Sequence, residues 1–417
     1  MFASGGLVTF AAIDYVYTLG RAAGIVATVL LLTQLLLASR APWIERALGH
    51  DRAIAAHTRL GKWAIILMLS HAGIITAMTA YYDGRSLPEQ QLEFFNQAWF
   101  LAAAQIAAGV FVVILATSLM IVRGRWRYET WHLVHLLVYV GTAAAVPHQF
   151  LWGTTFSSGG AAWWFWLLLY VVAVGSLVVY RVVRPLWVFG RHQITVKEVA
   201  TAPDGTTTVT MGGRNLGDLA PLPGQFFLWR FLDRDRWREA HPFSLSSSPS
   251  GDTLRISVKS AGDFSRSLRH LTPGTRVMVE GPLGVFSGVT RTRDGLVMVA
   301  AGIGVTPVRA MLEAHDPSEG PCTVILRVRS EQDAPLLDEV TALAAQRDAQ
   351  LHVLTGPRGG SGWAPGESHD TLVDLVPDLH NSDVYICGPL PWADAVQGEA
   401  VAAGVPVDAV HRERFGW

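Results

Sequence analysis

The chain has 417 residues, of which 50% are hydrophobic and 16% charged, with a mean hydropathy of +0.29. That apolar excess is what membrane spans bring, and the length allows about two or three domains. With 33 basic against 34 acidic residues there is no electrostatic case for nucleic acid, and Cys322 and Cys387 are too far apart to form a CxxC, zinc or iron–sulfur pattern.

Residues 1–190 hold five apolar stretches, about Tyr15–Ala38, His57–Ala80, Ala98–Val122, Trp131–Leu151 and Trp163–Val183. Each is near the roughly 20 residues that span a bilayer. Arg40, Arg46, Arg52, Arg59 and Lys62 flank the first connection, Arg123, Arg125 and Arg127 sit in the third, and Arg181, Arg184 and Arg191 follow the last span. The second connection sets only Arg85 beside Asp83, Glu89 and Glu93, and the fourth has no basic residue. The positive-inside rule therefore places the first and third loops, and everything after Arg181, in the cytoplasm. Trp99, Trp163, Trp164 and Trp166 fall at span ends, as an aromatic belt does. The first positive charge is Arg21, so no cleaved signal peptide is expected.

Ionisable residues inside a membrane segment are costly and point to function. The second span carries His57 and His71, and the fourth carries His132, His135 and His148. His57 and His135 lie toward the cytoplasmic ends and His71 and His148 toward the outside, two levels about 20 Å apart at the helical rise. His57 and His71 are 14 residues apart, close to four turns, so they share a face. His135 and His148 are 13 apart, which an ideal helix would rotate by about 140°. Pro147 can kink the helix and relieve this mismatch, and His132 competes with His135 for the inner level. Imidazole ligates haem iron, so two such pairs would hold two b-type haems, one above the other. Carboxylates for a dinuclear site are missing from these spans. Arg21 either snorkels to the interface or pairs with a propionate of the outer haem.

After Arg191 short alternating runs appear, Gln193–Val199, Thr206–Met211, Phe226–Phe231 and Thr253–Ser260, the last containing Val258. Gly, Pro and Asp turns separate them, the signature of a small antiparallel β-barrel. From Asp294 the pattern becomes strand, glycine turn, helix, and then repeats as an α/β nucleotide-binding layout with a parallel sheet. Four motifs carry the chemistry. His241-Pro242-Phe243-Ser244-Leu245-Ser246-Ser247 sets an aromatic and hydroxyls where a flat ring can stack and be hydrogen-bonded. Gly262-Asp263-Phe264-Ser265, followed by Gly281-Pro282-Leu283-Gly284, offers backbone N–H groups to phosphate or forms a plain cap and turn. Gly302-Ile303-Gly304-Val305-Thr306-Pro307 follows an apolar strand and opens a helix, where a pyrophosphate can approach the backbone. Cys387-Gly388-Pro389 ends a later strand, on the edge where α/β sheets bind ligands.

In order and spacing these four motifs resemble the ferredoxin–NADP reductase family over about 225 residues. HPFSLSS resembles its flavin signature, GDFS its flavin-pyrophosphate turn, GIGVTP its pyridine-nucleotide loop and CGP its nicotinamide-side motif. Glu413-Arg414-Phe415 resembles its Glu-x-aromatic ending, with Gly416 and Trp417 beyond, so either Phe415 or Trp417 covers the flavin. Joined to paired histidines in membrane spans, the whole chain resembles the ferric reductase and NADPH oxidase superfamily. His57, His71, His135 and His148 match its haem ligands, and Arg21 an arginine it places near the outer haem. Animal NADPH oxidases carry a further histidine where Ile75 stands here.

The resemblance implies a multi-domain protein: a transmembrane di-haem bundle (1–190), an FAD-binding β-barrel (191–292) and a Rossmann-like NAD(P) domain (293–417). Electrons would run from cytoplasmic NAD(P)H through FAD and two b-type haems, across the plasma membrane, to an external small-molecule acceptor. Ferric complexes are favoured as acceptor, with dioxygen or a periplasmic redox partner as alternatives and a histidine proton relay as a third class. Ser244 would bond the reactive flavin nitrogen, Phe243 stack on the ring and His241 approach the phosphate or ribityl chain. Cys387, Glu413 and Phe415 would line the hydride-transfer site, with Pro242, Ser246, Ser247, Val258, Gly262, Ser265, Gly302, Gly304, Thr306, Pro307, Gly388 and Pro389 contacting cofactors. Arg327, Arg329 and Ser330 stand near the end of the second strand of the nucleotide fold and Arg358 in the next loop, which leans toward NADPH, with Arg329 as a plain surface charge the alternative.

Overall fold

The computed structural model describes residues 12–118, 124, 128–157, 159–357, 362–365 and 371–413. They fall into two compact units, Met1–Ile44 with Arg52–Tyr180, and Glu45–Asp51 with Arg181–Trp417. Phe415, Trp417, Arg358, Arg123, Arg125 and Arg127 lie outside the described residues.

The first unit is helical. Five helices are long and apolar enough to cross a membrane: Asp14–Ala38, Arg52–Asp83, Trp99–Ser118, Thr130–Leu151 and Gly160–His192. They belong to α1 (Ala12–Ala38), α3 (His50–Asp83), α5 (Trp99–Ser118), the pair α6 (Tyr128–His135) and α7 (Leu137–Leu151), and α9 (Gly160–Val178), with α2 (Pro42–Leu48), α4 (Leu87–Gln97) and α8 (Thr154–Ser157) between. Leu31, Phe111, Ile114 and Ala145 pack one inner seam of α1, α5 and α7. Leu32, Leu35, Trp166, Tyr170 and Ala173 pack another, of α1 and α9. The opposite faces expose Val29, Val112, Val140, Leu168 and Val171, an apolar sheath that water would not tolerate and lipid would.

The acidic second connection folds as α4. Glu89 accepts from the Ser86 amide at 2.8 Å, and Arg85 lies 3.4 Å from Glu93, so its charges are committed locally.

In the second unit, α10 (Arg184–His192) leads into β1 (Thr195–Thr201), β2 (Thr206–Gly212), β3 (Phe226–Phe231), β4 (His241–Ser244), β5 (Thr253–Lys259), α11 (Asp263–Ser267) and β6 (Val277–Leu283). The strands form two three-stranded antiparallel sheets, β1-β2-β5 and β4-β3-β6. Single bridges, Thr195 to Arg276 and Leu245 to Ile256, join them at two seams, in place of one continuous barrel ladder. Alternating residues from both sheets, among them Val209, Met211, Phe227, Trp229, Leu245 and Ile256, make the core.

The rest is β7 (Gly295–Ala301), α12 (Val305–Ala314), β8 (Cys322–Val328), α13 (Leu337–Gln346), β9 (Gln350–Thr355), α14 (Leu372–Leu375), β10 (Ser382–Cys387), α15 (Leu390–Ala402) and β11 (Val410–Glu413). All neighbours in the sheet, ordered β11-β10-β7-β8-β9, pair in parallel. The chain reverses winding direction between β7 and β10, which opens a crevice at their carboxyl ends.

Candidate functional site

Two histidine pairs stand in the membrane bundle. The rings of His57 and His135 have centres 6.2 Å apart, and those of His71 and His148 are 6.5 Å apart. Imidazole nitrogens bind a metal at about 2 Å. Adding about 1.1 Å from nitrogen to ring centre on each side, two imidazoles across one iron stand about 6.3 Å apart. Both pairs fit that spacing. His57, His135 and His148 each carry a buried Nδ1 with no hydrogen-bond partner, and His71 turns its Nδ1 to the Gly20 carbonyl at 2.9 Å. Each pair of facing imidazoles is a donor set that would suit a haem iron, and among the described residues no group of three or more His, Cys, Asp or Glu could hold a metal ion.

The structure sets His135, not His132, opposite His57, and Trp131 stacks on His135 at 5.0 Å. Between His135 and His148 the helix is interrupted once, where α6 ends at His135 and α7 starts at Leu137, and Pro147 lies inside α7. Arg21 donates to the Thr154 hydroxyl. Two glycines of α1, Gly20 and Gly24, also belong to the site. A Cβ on Gly24 would lie 2.6 Å from His71 Nδ1, and one on Gly20 2.6 Å from Ile74. Their G-x-x-x-G spacing was the signal available, since it lets two helices approach closely.

In the flavin module Ser244 is 3% exposed and its Oγ has no partner. A buried hydroxyl needs one, and a flavin heteroatom would serve. Across the ladder from Ser244 is Phe226. A Cβ on Gly284 would lie 3.1 Å from the Phe226 ring and 3.5 Å from Glu413 Oε2, so these groups share one corner. His50, in the Glu45–Asp51 segment that belongs to this unit, stands edge-on to Phe226 at 5.5 Å and 2.9 Å from Glu45. The rings of His241, Phe243 and Phe264 are near-parallel, with His241 stacked on Phe264 at 3.7 Å. They make an aromatic shelf of the kind a flat cofactor needs. Pro242 and Ser247 flank it, half-buried.

Several of the expected cofactor residues also make local bonds. His241 reaches Glu239 at 3.0 Å. Ser246 accepts from Ser257 at 2.9 Å, and Val258, 4% exposed, is turned into the core by strand alternation. Ser265 Oγ accepts from the amides of Ala261 and Gly262, both at 2.9 Å, and caps its own turn.

At the crevice the GIGVTP and CGP motifs meet. A Cβ on Gly304 would lie 2.2 Å from the Cys387 carbonyl oxygen, so only glycine lets the nucleotide loop close on β10. Gly302 has φ +55°, in the left-handed region, and Thr306 bonds back to Ile303 at 3.1 Å, with Pro307 buried in the first turn of α12. Gly388 and Pro389 lead from β10 into α15. Cys387 is paired in register with Glu413 on β11, and burial plus that carboxylate's charge push its thiol well above the ordinary range, so it stays protonated. Arg327 is turned inward, donating to the carbonyls of Gly356 at 3.0 Å and Pro357 at 2.9 Å, and so is withdrawn from nucleotide recognition. Arg329 is exposed at the end of β8.

Family models match in three places: a ferric reductase like transmembrane component over residues 23–146, an FAD-binding domain over 191–287, and an oxidoreductase NAD-binding domain over 298–398. Among curated relatives, the ferredoxin reductase component of 3-ketosteroid-9-alpha-monooxygenase from Mycobacterium tuberculosis is 31% identical over 222 residues, 52% of this chain and 60% of the relative. The ferredoxin–NAD(+) reductase component of the alkene monooxygenase system from Xanthobacter autotrophicus is 30% identical over 236 residues, 54% of this chain and 70% of the relative. The FAD/NAD-binding domain of nitric oxide dioxygenase from Vibrio cholerae aligns with 54% of this chain and 98% of its own, at 25% identity and a TM-score of 0.45. The chain spans about 60% of the length of the first curated relatives it matches. It belongs to the ferric reductase/NADPH oxidase-type fusions, a multi-pass ferric reductase-like transmembrane component joined to an FAD- and NAD-binding oxidoreductase module of the ferredoxin–NADP reductase kind.

Proposed function

We propose that the protein moves electrons from NAD(P)H, by way of FAD and two b-type haems, across the plasma membrane to a small acceptor outside, with ferric complexes favoured. The observation that carries this reading is the pair of histidine couples, at 6.2 and 6.5 Å, on the same two spans at two depths. FAD, when bound, accepts the two electrons of a hydride and releases them singly, which is what connects a nicotinamide to haem iron.

The chain's own residues bind and orient. His57 with His135 and His71 with His148 hold the inner and outer haems. Ser244 fixes the reactive edge of the flavin, the shelf of Phe243 and Phe264 stacks its flat surface, and the α12 turn at Gly302–Gly304 receives the nucleotide pyrophosphate. Cys387 stays a neutral thiol beside Glu413 and keeps the hydride position free of a second charge. We take 1–190, 191–292 and 293–417 as the haem, FAD and NAD(P) domains, the last two cytoplasmic by the charge of the flanking loops. A docked periplasmic partner is the weaker reading, because the carboxylates of the acidic second connection already have local partners, Glu89 on the Ser86 amide and Glu93 and Asp83 beside Arg85.

The acceptor is tested on detergent-purified protein reduced anaerobically with NADPH. Rapid haem reoxidation by ferric citrate in the absence of oxygen supports the reading. Reoxidation by air alone makes dioxygen the acceptor, and reoxidation by neither small acceptor favours a protein partner.

A further inference from the structure

Gln34 is a polar side chain set in the middle of an apolar seam. It is 6% exposed, and neither its Nε2 nor its Oε1 has a hydrogen-bond partner. Its neighbours along α1, Leu31, Leu32 and Leu35, are buried hydrophobes of the bundle. An amide in an apolar membrane segment demands a hydrogen-bond partner. The amide lies over α3. A Cβ on Gly61 would come within 3.3 Å of Gln34 Oε1. Gly61 is one turn beyond His57 on α3, and His57 itself rests against the Gln34 backbone. Gln34 therefore meets His57 through its main chain, while its amide lies beside Gly61, one turn further along α3. The cations of α3 at this depth, Arg59 and Lys62, are exposed on other faces.

We propose that Gln34 is a positioning residue of the inner haem, its Nε2 donating a hydrogen bond to a propionate of the macrocycle held by His57 and His135. This rests on the two-haem reading above. The propionates are the groups on a b-type haem that accept hydrogen bonds, since its vinyl and methyl groups do not. Hydrogen bonding around such a group sets its reduction potential. Without the donor, the carboxylate's charge is less screened and favours ferric iron, so the potential falls.

The test is a spectroelectrochemical titration of the full-length protein and its Gln34→Met variant, with haem content and the resonance Raman propionate-bending region recorded on the same samples. The expected result is two haems in both proteins, one midpoint lowered in the variant and the other unchanged, with a shifted propionate band. Gly61→Ala, which presses a methyl against the amide in a favourable helical setting, should lower the same midpoint, and keeps the test available if Gln34→Met does not assemble. Unchanged midpoints and an unchanged propionate band in two-haem variants overturn the proposal and leave the two-haem reading standing. A wild-type protein without haem overturns both.

Discussion

His71 donates its Nδ1 proton to the Gly20 carbonyl at 2.9 Å, and 14 residues away along each helix His57 rests against the Gln34 backbone. One helix thus backs both histidines of the other, at two levels about 21 Å apart by the helical rise. A ring whose Nδ1 is fixed by a carbonyl presents Nε2 as its ligand atom. Helix α1, which carries none of the four histidines, is the brace of the site.

The first prediction follows from how close that brace comes. Gly24→Ala puts a carbon 2.6 Å from the His71 ring, and the ring must move. Haem content should drop toward one per chain. Gly73→Ala, on α3 with nothing within 4 Å of its Cβ, should keep both haems. Pyridine haemochrome assays of the two variants check this.

The second prediction separates two histidines that the sequence left in competition. His135→Ala should remove one haem, and His132→Ala should retain both, because His135 faces His57 at 6.2 Å. Haem stoichiometry and the α-band of the dithionite-reduced protein read the difference.

Much of this was legible in the sequence, for identifiable reasons. Span length and loop charge are one-dimensional properties, so the five helices stood out. The strand–glycine–helix order around Gly302 is local and was equally visible. Only the family resemblance favoured His135 over His132, because the two lie three residues apart in one helix and which ring meets His57 depends on how that helix is turned toward α3. Arg327 looked like Arg329 in sequence, yet Arg327 is still inside β8 and donates to the carbonyls of the 356–357 turn, whereas Arg329 comes after the strand ends at Val328 and is exposed. The local bonds of Ser246, which accepts from Ser257, and of Ser265, which accepts from the Gly262 amide, were not visible, because capping and cross-strand bonds leave no trace in residue type.

That contrast gives the third prediction. Arg329→Ala should raise KM for NADPH by about 10-fold or more, as the loss of a charge-assisted hydrogen bond does, and leave NADH use nearly unchanged. Arg327→Ala should instead lower thermal stability, since it strands buried carbonyls. Steady-state kinetics with both nucleotides, alongside thermal melts, distinguish the two.

A fourth prediction concerns the clamp between the flavin sheets and the nucleotide sheet. Arg255 on β5 holds Glu339 of α13 at 2.6 and 2.7 Å, and Arg309 reaches the same carboxylate at 2.7 Å. Burial alone would raise the Glu339 carboxyl, but the bonds and charge of Arg255 and the charge of Arg309 outweigh it and hold it below its usual value. The folded state therefore binds fewer protons there than the unfolded chain. The clamp is fully present above the ordinary carboxylate pKa of about 4.3 and is lost as pH falls through the lowered folded value. With the Glu339 side chain 38% exposed, solvent screening limits its worth to about 1 kcal/mol. Glu339→Gln should melt below wild type at pH 7, and the gap should close in strong acid. A gap that persists there would assign the loss to packing.

The central claim is that the nucleotide module reduces haem held by the paired histidines. The most direct measurement is an anaerobic NADPH titration of the detergent-purified protein, followed in the haem α-band. The account predicts that two b-type haems per chain become reduced by NADPH alone, to the same extent as with dithionite. A protein without haem absorbance, or one whose haem dithionite reduces and NADPH does not, would contradict it.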